Sequence, residues 1–450
     1  MDTIVAVATT PGRSAIGVIR LSGPESLKIL RGLIDDDLFA PEPNHVYLKQ
    51  VVRESGEPLD SALVTYFEKP RSFTGEEMIE LSCHGSPVIL RRVLDLTQSF
   101  GARLAEPGEF TLRACKNGKM NLSQAEAIRD LINAQTDAAA AQAARQLKGE
   151  LAVALQPAKE ILIKIIVRLE SALEFVEEDL PRIQSEEIEK DLAQVVAIVE
   201  GLARTYATGQ ALREGLKVAI VGRPNVGKSS LFNKLVRMNR AIVTEIAGTT
   251  RDSISESISL GGIPISITDT AGIRVAKDTI EEIGIERTHQ VIADADLLVV
   301  VIDGSTSLSD EDLAITAQAI RRRHVVAINK CDLVRNPGFE NRLDLSSQVV
   351  HLSALTGEGL DELTAAILAP FGEVDSEAVG LLITDSRHYD LLRRTQASLE
   401  KSVDLLSRSA SEEIVLVGLH NALQFLGEIT GETTADYILG EIFSTFCIGK

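Results

Sequence analysis

The segment with the clearest chemical pattern is residues 222–229, GRPNVGKS, which fits G-x-x-x-x-G-K-S. An apolar run at 217–221 precedes it and a helical pattern at 230–235 follows it, as a phosphate-binding loop requires. Its glycines let backbone N–H groups wrap a phosphate, Lys228 can reach the β- and γ-phosphates, and the Ser229 hydroxyl can bind Mg²⁺. The segment therefore predicts a nucleoside triphosphate site.

Three further motifs follow in the order that a guanine nucleotide site needs: DTAG at 269–272, NKCD at 329–332 and SAL at 353–355. The first ends an apolar strand, where a carboxylate can hold Mg²⁺ and a glycine N–H can meet the γ-phosphate. The carboxylate of Asp332 can accept hydrogen bonds from the N1–H and the exocyclic amine of guanine. Because a site built for those donors rejects a base that lacks them, we predict GTP or GDP as the nucleotide.

A candidate switch segment, GTTRD at 248–252, lies between the phosphate loop and DTAG. At this place a switch offers a Thr to the metal only while the γ-phosphate is present. Many GTPases carry a Gln just after the DxxG motif to orient the attacking water, but this chain has Ile273 there. Since an Ile side chain cannot orient water, hydrolysis must use another group.

The residue pattern divides the chain into four segments that must position these motifs. Residues 1–118 mix strand-like apolar runs with shorter helical stretches, which predicts an α+β domain. Residues 119–212 and 376–450 have the composition of long packed helices, which predicts an all-α domain. In residues 213–375 apolar strands alternate with helices, which predicts an α/β domain with a doubly wound parallel sheet. We expect this domain to be inserted into one helical domain built from both flanking segments. The predicted strands are 4–8, 16–21, 63–67, 78–82, 217–221, 263–268, 297–302, 325–329 and 349–352.

The composition of the 450 residues limits the class of protein. With 44% hydrophobic and 25% charged residues the chain is globular, which excludes a disordered or fibrous protein. Its apolar runs fall far short of the about 20 residues that a membrane span needs, and its start resembles no signal peptide, so we expect a cytoplasmic protein. The four cysteines form no CxxC pair, which argues against a disulfide framework and a zinc site. The net charge of −19 argues against a general nucleic-acid binder.

Motifs along the whole chain resemble those of one family. They are DTIVAVATTPGR, SFTGEEMIEL, EPGEFTLRA, NLSQAEAI, GRPNVGKSSL, AGTTRD, DTAGIR, IGIER and the terminal FCIGK. This set is similar to that of the MnmE (TrmE) family of tRNA-modification GTPases, which belongs to the TrmE-Era-EngA-like P-loop GTPases. The resemblance implies a tetrahydrofolate-binding domain at 1–118 that also dimerises, a helical domain from 119–212 and 376–450, and an inserted Ras-like G domain at 213–375.

The resemblance also implies a reaction and its partners. Members of this family act as homodimers and associate with the flavoprotein MnmG (GidA), which carries FAD, in a heterotetramer. Using 5-formyl- or methylene-tetrahydrofolate, they form the aminomethyl or carboxymethylaminomethyl group at C5 of the wobble uridine, position 34, of certain tRNAs. GTP hydrolysis with Mg²⁺ is required for that reaction, and K⁺ activates it in place of an arginine finger.

The family's site residues transfer to this chain position by position. The implied GTP-binding residues are Asn225, Val226, Gly227, Lys228, Ser229, Ser230, Thr244, Glu245, Ile246, Ala247, Gly248, Thr249, Thr250, Asp269, Thr270, Ala271, Gly272, Asn329, Lys330, Asp332, Ser353, Ala354 and Leu355. The implied Mg²⁺ ligands are Ser229 and Thr250. The implied K⁺ ligands are Asn225, Thr244, Ile246 and Thr249. Glu281 matches the acid that orients the hydrolytic water in the family. It would replace the Gln that many GTPases carry at the position of Ile273.

The resemblance also assigns residues outside the G domain. Arg20, Glu80, Lys119 and Lys450 match positions associated with folate binding. A carboxylate such as Glu80 suits the amidine-like edge of a pterin, and cationic groups suit the glutamate tail of folate. Cys447, in the FCIGK tail, is a candidate for a role in modification or equally a small residue packed beside its apolar neighbours.

Two departures from the family pattern and one alternative function remain at this point. His84-Gly85-Ser86 stands where the family has His-Gly-Gly. The last base-contact motif reads Ser-Ala-Leu, and because its third residue contributes least through its side chain, we expect guanine recognition to survive. An Era-like regulatory GTPase, a switch in ribosome or RNA assembly, would share every G-domain motif. Such a switch would have no use for the folate-like domain or the FCIGK tail. The acidic chain also leads us to expect that much of the tRNA affinity comes from MnmG.

Overall fold

The computed structural model describes residues 2–174, 185–238, 255–269, 291–334, 348–371, 380–408, 411–433, 436–447 and 449. The chain forms two compact units. The first comprises Met1–Arg129, Gln146–Ala154 and Leu423–Lys450, and the second comprises Asp130–Arg145 and Leu155–Ala422. The predicted boundaries at 118, 212 and 375 stay predictions.

The first unit contains a six-stranded sheet with the strand order β3-β4-β5-β2-β1-β6. The strands are β1 (Ile4–Val7), β2 (Ile16–Ser22), β3 (Val46–Val52), β4 (Pro58–Phe67), β5 (Met78–His84) and β6 (Arg103–Leu104). The helices of this segment are α1 (Ser26–Ile34), α2 (Pro87–Ser99) and α3 (Glu109–Lys116). All neighbouring strands are antiparallel except β1 and β6. This mixture of strands and helices confirms the predicted α+β class.

The two faces of this sheet differ because side chains alternate along each strand. On β4, Ala62, Val64 and Tyr66 are buried in the core that also contains side chains of α1 and α2. The residues between them point to the opposite face, where Leu63 is 45% exposed. In this unit one sheet face therefore builds the core, and the β3–β4 part of the other face is open.

Five helices follow in sequence: α4 (Leu122–Asn133), α5 (Asp137–Leu147), α6 (Glu150–Glu174), α7 (Ser185–Arg204) and α8 (Tyr206–Glu214). Apolar residues recur at helical spacing on the buried side of α6, as Leu155, Leu162, Ile166 and Leu169 illustrate. This is the all-α segment that the composition predicts.

The second sheet has the strand order β12-β11-β10-β7-β9-β8. Its elements are β7 (Leu216–Val221), α9 (Lys228–Met238), β8 (Ser255–Leu260), β9 (Ile263–Asp269), β10 (Leu297–Asp303), α10 (Asp310–Ala319), β11 (His324–Asn329), β12 (Gln348–His351) and α11 (Leu360–Leu368). The predicted doubly wound sheet is confirmed, with β8 as an antiparallel edge strand. That hairpin follows from Gly261-Gly262, both with positive φ, since such a two-residue turn reverses the chain between paired strands.

Three helices end the chain: α12 (Ser386–Ser407), α13 (Glu412–Thr430) and α14 (Asp436–Ser444). Helix α12 packs against α7, and the rings of Tyr206 and Tyr389 stack with centroids 4.2 Å apart. Helices from before and after the G domain thus lie together, as an inserted domain requires. Within the described part of the chain, none of the helices has the length and apolar character needed to cross a bilayer.

Candidate functional site

The motif residues of the G domain meet at one edge of the second sheet. Because β7, β9, β10, β11 and β12 are parallel, the loops that follow them leave the sheet on the same side. The phosphate loop follows β7, which lies between β10 and β9, where the chain winds in opposite directions. In doubly wound sheets ligands bind at this switch point.

The phosphate loop already holds its charged and hydroxyl groups in place. Lys228 Nζ donates hydrogen bonds to the carbonyl oxygens of Gly222 (2.8 Å) and Arg223 (2.7 Å), so the ammonium lies at the loop. The Ser229 hydroxyl donates to Asp269 Oδ2 at 2.6 Å. A hydroxyl and a carboxylate oxygen are the hard donors that Mg²⁺ prefers, so these two residues fit a Mg²⁺ site.

Asn329 connects three of the motifs. Its Nδ2 donates to the carbonyl oxygen of Val226 (2.7 Å), and its Oδ1 accepts from the backbone N–H of Ala354 (2.9 Å). Asn329 is only 2% exposed, so both bonds are sheltered from water. Gly227, with φ 103°, lies so close that a Cβ there would collide with Asn329 Nδ2. The phosphate loop, the NKCD segment and the SAL segment are therefore fixed relative to one another.

A cavity of about 440 Å³ opens beside these motifs. Its lining residues are Gly227, Ser230, Asn233, Lys234, Arg237, Asn329, Lys330, Asp332, Leu333, Ser353, Ala354 and Leu355. The exposed Asp332 lies at this cavity, as a base-reading carboxylate must. Leu355 is 80% exposed at its rim, so the unusual third residue of the SAL motif leaves the cavity open. Sequence reasoning missed Asn233, Lys234, Arg237 and Leu333, which lie outside the motifs.

Asp303 is a further residue of this edge that sequence reasoning missed. Its Oδ2 accepts from Lys330 Nζ at 2.6 Å. Burial would raise the pKa of Asp303, but hydrogen bonds from Lys330 and Ser305 outweigh burial and hold that pKa below its usual value. Its position in the sequence could have revealed Asp303, because it ends a buried strand as Asp269 and Asn329 do.

A second missed contact joins the phosphate loop to α10. Arg223 Nε donates to Asp312 Oδ1 at 2.7 Å, and the Asp312 side chain is 1% exposed. Asp312 also forms the capping box of α10 with Ser309. Arg223, whose type the P-loop pattern does not specify, is therefore anchored to the first turn of α10.

Several predicted site residues lie outside the described residues. They are the switch and K⁺ residues Thr244, Glu245, Ile246, Ala247, Gly248, Thr249 and Thr250, the rest of the DTAG motif, Thr270, Ala271 and Gly272, and also Glu281 and Lys450. Their assigned roles stay predictions.

Two of the predicted folate residues meet in the first unit. Arg20 and Glu80 are direct partners on the antiparallel strands β2 and β5. Arg20 Nε and Nη2 both donate to Glu80 Oε1, at 2.9 and 2.7 Å. The Arg20 guanidinium also lies 5.5 Å from the ring centre of Phe73 and 5.9 Å from that of Phe110. The pair is thus partly buried, and its guanidinium lies beside two aromatic rings.

The C-terminal tail reaches the same pair. Arg20 Nη1 donates to the carbonyl oxygen of Gly449 at 3.2 Å. Cys447 is exposed, and its carbonyl oxygen accepts from Gly108 N at 3.4 Å. Cys447 therefore contacts the EPGEF segment, and Gly449 lies beside Arg20. Lys119 Nζ donates to the carbonyl oxygen of Pro70 (3.0 Å), in the loop that also contains Phe73.

Comparisons with known proteins extend over the whole chain. Residues 3–119 match the family model for the GTP-binding protein TrmE N-terminus, and residues 122–447 match the MnmE helical domain. A tRNA modification GTPase MnmE from Aquifex aeolicus is 44% identical over 450 residues, with all of both chains covered. The protein of the same name from Koribacter versatilis is 46% identical over 454 residues, covering all of this chain and 99% of that one.

Solved structures match part of the chain. A variant of Aquifex aeolicus Era bound to GDP·AlF₄⁻ is 27% identical, with a TM-score of 0.29, over 41% of this chain and 66% of that one. The G domain of the T. maritima FeoB iron transporter is 29% identical, with a TM-score of 0.26, over 34% of this chain and 97% of that one. The relatives that match from end to end decide the assignment and confirm the resemblance found in the motifs: the chain belongs to the MnmE family of tRNA-modification GTPases.

Proposed function

We propose that this chain is a GTPase that acts in the modification of tRNA. The observation that carries the proposal is the Asn329 side chain, which fixes the phosphate loop and the two base-side segments around one cavity. The end-to-end relatives named as tRNA modification GTPases support the second half of the proposal.

The nucleotide is proposed to be GTP bound with Mg²⁺. Lys228 offers its ammonium to the β- and γ-phosphates, and Ser229 and Asp269 supply oxygen ligands or water contacts for the metal. When bound, Mg²⁺ neutralises charge on the phosphates. Asp332 reads guanine from the exposed side of the cavity. Among the residues outside the described ranges, Thr250 is proposed as a further Mg²⁺ ligand, and the segment 244–249 and residues 270–272 as nucleotide contacts.

Hydrolysis is proposed to use Glu281 and a bound K⁺. Glu281 would orient the attacking water, because Ile273 cannot. Asn225, together with Thr244, Ile246 and Thr249, would hold K⁺ against the phosphates and supply the positive charge that other GTPases take from an arginine finger. The exposed position of Asn225 in the phosphate loop is compatible with that role.

A one-carbon tetrahydrofolate, 5-formyl or methylene, is proposed to bind at the Arg20–Glu80 pair. Glu80 suits the amidine-like edge of a pterin, and Phe73 and Phe110 offer apolar surface beside it. Lys119 and Lys450 would serve the glutamate tail of the ligand. Cys447, exposed in the tail that reaches Arg20, is a candidate group for the modification chemistry.

We infer that two copies of the chain pair through the open face of the first sheet. Val46, Leu48 and Leu63 lie on this face and are 63%, 71% and 45% exposed. Leu48 and Leu63 are direct cross-strand partners, so the apolar patch is continuous, and β3 is an edge strand. Soluble proteins rarely leave such an edge uncovered, and a second copy of the same sheet would bury it.

MnmG with its FAD is the proposed partner, in a heterotetramer, and tRNA is the proposed substrate. With a net charge of −19 this chain lacks the surplus of Lys and Arg that grips a phosphate backbone. We therefore infer that MnmG supplies much of the tRNA affinity. Action on tRNA would place the protein in the cytoplasm, where it would help to form the aminomethyl or carboxymethylaminomethyl group at C5 of uridine 34.

The proposal is tested by mass spectrometry of wobble nucleosides from cells that lack this protein. We expect the C5 modification to disappear, to return with the wild-type chain, and to stay absent with the Asp269→Ala variant. The Glu57→Gln variant, altered at an exposed turn of the first sheet, is the matched control and should restore modification. An unchanged nucleoside profile together with defective ribosome assembly would favour the Era-like switch.

A further inference from the structure

Two strained residues of the G domain are in direct contact. Among the described residues, four non-glycine residues have positive φ, and two of them, Asn225 (φ 64°) and Lys330 (φ 68°), belong to this domain. Lys330 Nζ donates to the carbonyl oxygen of Asn225 at 3.1 Å. Asn enters this region more readily than Lys, and other non-glycine residues persist there where their neighbours hold them. Lys330 therefore joins the NKCD segment to the phosphate loop, and both residues of this contact have positive φ.

Asp303 fixes the other side of that lysine. Its Oδ2 accepts from Lys330 Nζ at 2.6 Å, and its Oδ1 accepts from the Ser305 N–H (3.0 Å) and hydroxyl (2.6 Å). The Asp303 side chain is 10% exposed, so the carboxylate cannot rotate freely. Gly304 N donates to the Asn329 carbonyl oxygen, and a Cβ on Gly304 would come within 2.8 Å of Ile328, so the turn itself is seated on β11.

The geometry has a consequence for the phosphate loop. An ammonium held by only one carbonyl would exchange that contact for water, because Lys is strongly hydrated on a flexible stem. The bond that Lys330 donates to Asp303 favours the ammonium at the Asn225 carbonyl, and the bond to that carbonyl favours the left-handed conformation of Asn225. The direction in which the Asn225 side chain leaves the loop depends on this conformation.

We propose that Asp303 is a positioning residue which, through Lys330, sets the conformation of Asn225 for binding a monovalent cation. The inference rests on the cation role of Asn225 in the proposed function. It adds that Lys330, on the base side of the cavity, and Asn225, in the phosphate loop, are coupled. A substitution at Asp303, at the end of β10, should therefore reduce activation by K⁺.

The test measures GTP hydrolysis by the full chain as a function of K⁺ concentration, with Na⁺ keeping the ionic strength constant. For Asp303→Asn we expect the K⁺ concentration at half-maximal activation to rise about tenfold, because the amide keeps an acceptor oxygen but loses the negative charge that strengthens the bond from Lys330. Affinity for GDP, measured in Na⁺ alone, should fall less than this. Asp303→Glu keeps the charge and should recover most of the K⁺ response. Asp361→Asn, which alters an exposed carboxylate in the first turn of α11, is the control and should match wild type.

The outcomes separate the two ideas. If Asn225→Ala removes the difference between K⁺ and Na⁺ but Asp303→Asn does not change the K⁺ response, the proposed function stands and the role of Asp303 is wrong. A loss of GDP affinity with an unchanged K⁺ response would also overturn the role, since Asp303 would then support only the base site. Equal rates in K⁺ and Na⁺ for the wild-type chain would overturn the cation role of Asn225 and, with it, the positioning role of Asp303.

Discussion

The two candidate sites of this protein are assembled in opposite ways. The nucleotide site collects short contiguous motifs that follow parallel strands, and each lies at the same edge because its strand does. The Arg20–Glu80 pair joins residues 60 positions apart, and only the register between β2 and β5 brings them together. One site therefore depends on local sequence and the other on long-range pairing.

The sites also differ in what holds their polar groups. Asn329 and Lys228 bind backbone atoms, so contacts within the protein hold the described part of the nucleotide site. Arg20 and Glu80 bind each other, so a ligand that needs the Glu80 carboxylate must share or replace the bond from Arg20. We therefore expect mutations to change specificity sharply in the G domain and affinity modestly at the Arg20–Glu80 pair.

The largest effect that this comparison predicts is at Asp332. Asp332→Asn should shift the preference for GTP over XTP by about 10⁴-fold, because a site built to hydrogen-bond one edge leaves its polar groups unpaired with another base. The backbone-held loop should stay intact, so total triphosphate affinity should be recovered with XTP. Competition binding with GTP and XTP measures the shift.

A matched control keeps this test specific. Asp310→Asn alters an exposed carboxylate at the start of α10 and should leave the ratio of GTP to XTP affinity unchanged. If Asp332→Asn still preferred GTP, the cavity would not be the base site. The expected difference in sensitivity between the nucleotide site and the Arg20–Glu80 pair would then be lost.

The contrast explains which parts of the fold could be predicted. Strands β9 and β11 are mainly apolar and end in Asp269 and Asn329, so the sequence predicts both the strand and its site residue. The edge strand β8 alternates polar and apolar residues, and it was not predicted. Asp303 obeys the same rule but lies in no named motif, and only its contact with Lys330 reveals its role. Strand β3 was not predicted because Val46 and Leu48 face outwards, which hides the alternation that identifies a strand.

In the first unit, motifs predicted the participants but not their contacts. Resemblance to the family assigned Arg20, Glu80 and Lys119, yet nothing local in the sequence states that residue 20 lies opposite residue 80. Register depends on the hydrophobic pattern of whole strands and on their turns. The contact between Arg20 and Gly449 spans 429 positions and is beyond any local signal.

A smaller effect is expected at the Arg20–Glu80 pair. Glu80→Gln keeps the shape of the side chain but loses its charge, so affinity for a tetrahydrofolate derivative should fall about tenfold, the worth of one charge-assisted hydrogen bond. Calorimetry on the full chain measures the dissociation constant, and Glu57→Gln is the control. Tighter binding by Glu80→Gln would mean that Glu80 serves only to occupy Arg20, and the site would then have to be assigned to the cations alone.

The smallest effect concerns another long-range contact of the first unit. Asp2 accepts hydrogen bonds from Arg103 (2.7 Å) and Arg113 (2.6 Å). Its bond from Arg103, aided by Arg113 and opposed by burial, lowers the pKa of Asp2 from 3.8 to about 2. A lowered pKa stabilises the fold above pH 3.8, and the stabilisation is lost as the pH falls towards 2. Because the Asp2 side chain is 53% exposed, water screens the pair and the contribution should stay below about 1 kcal/mol. Urea unfolding of wild type and Asp2→Asn should therefore differ by a small constant amount from pH 7 to pH 5 and converge as the pH falls from about 4 towards about 2. A difference that is large, or that does not shrink with acid, would mean that this exposed pair holds the unit as firmly as the backbone-anchored residues hold the nucleotide site.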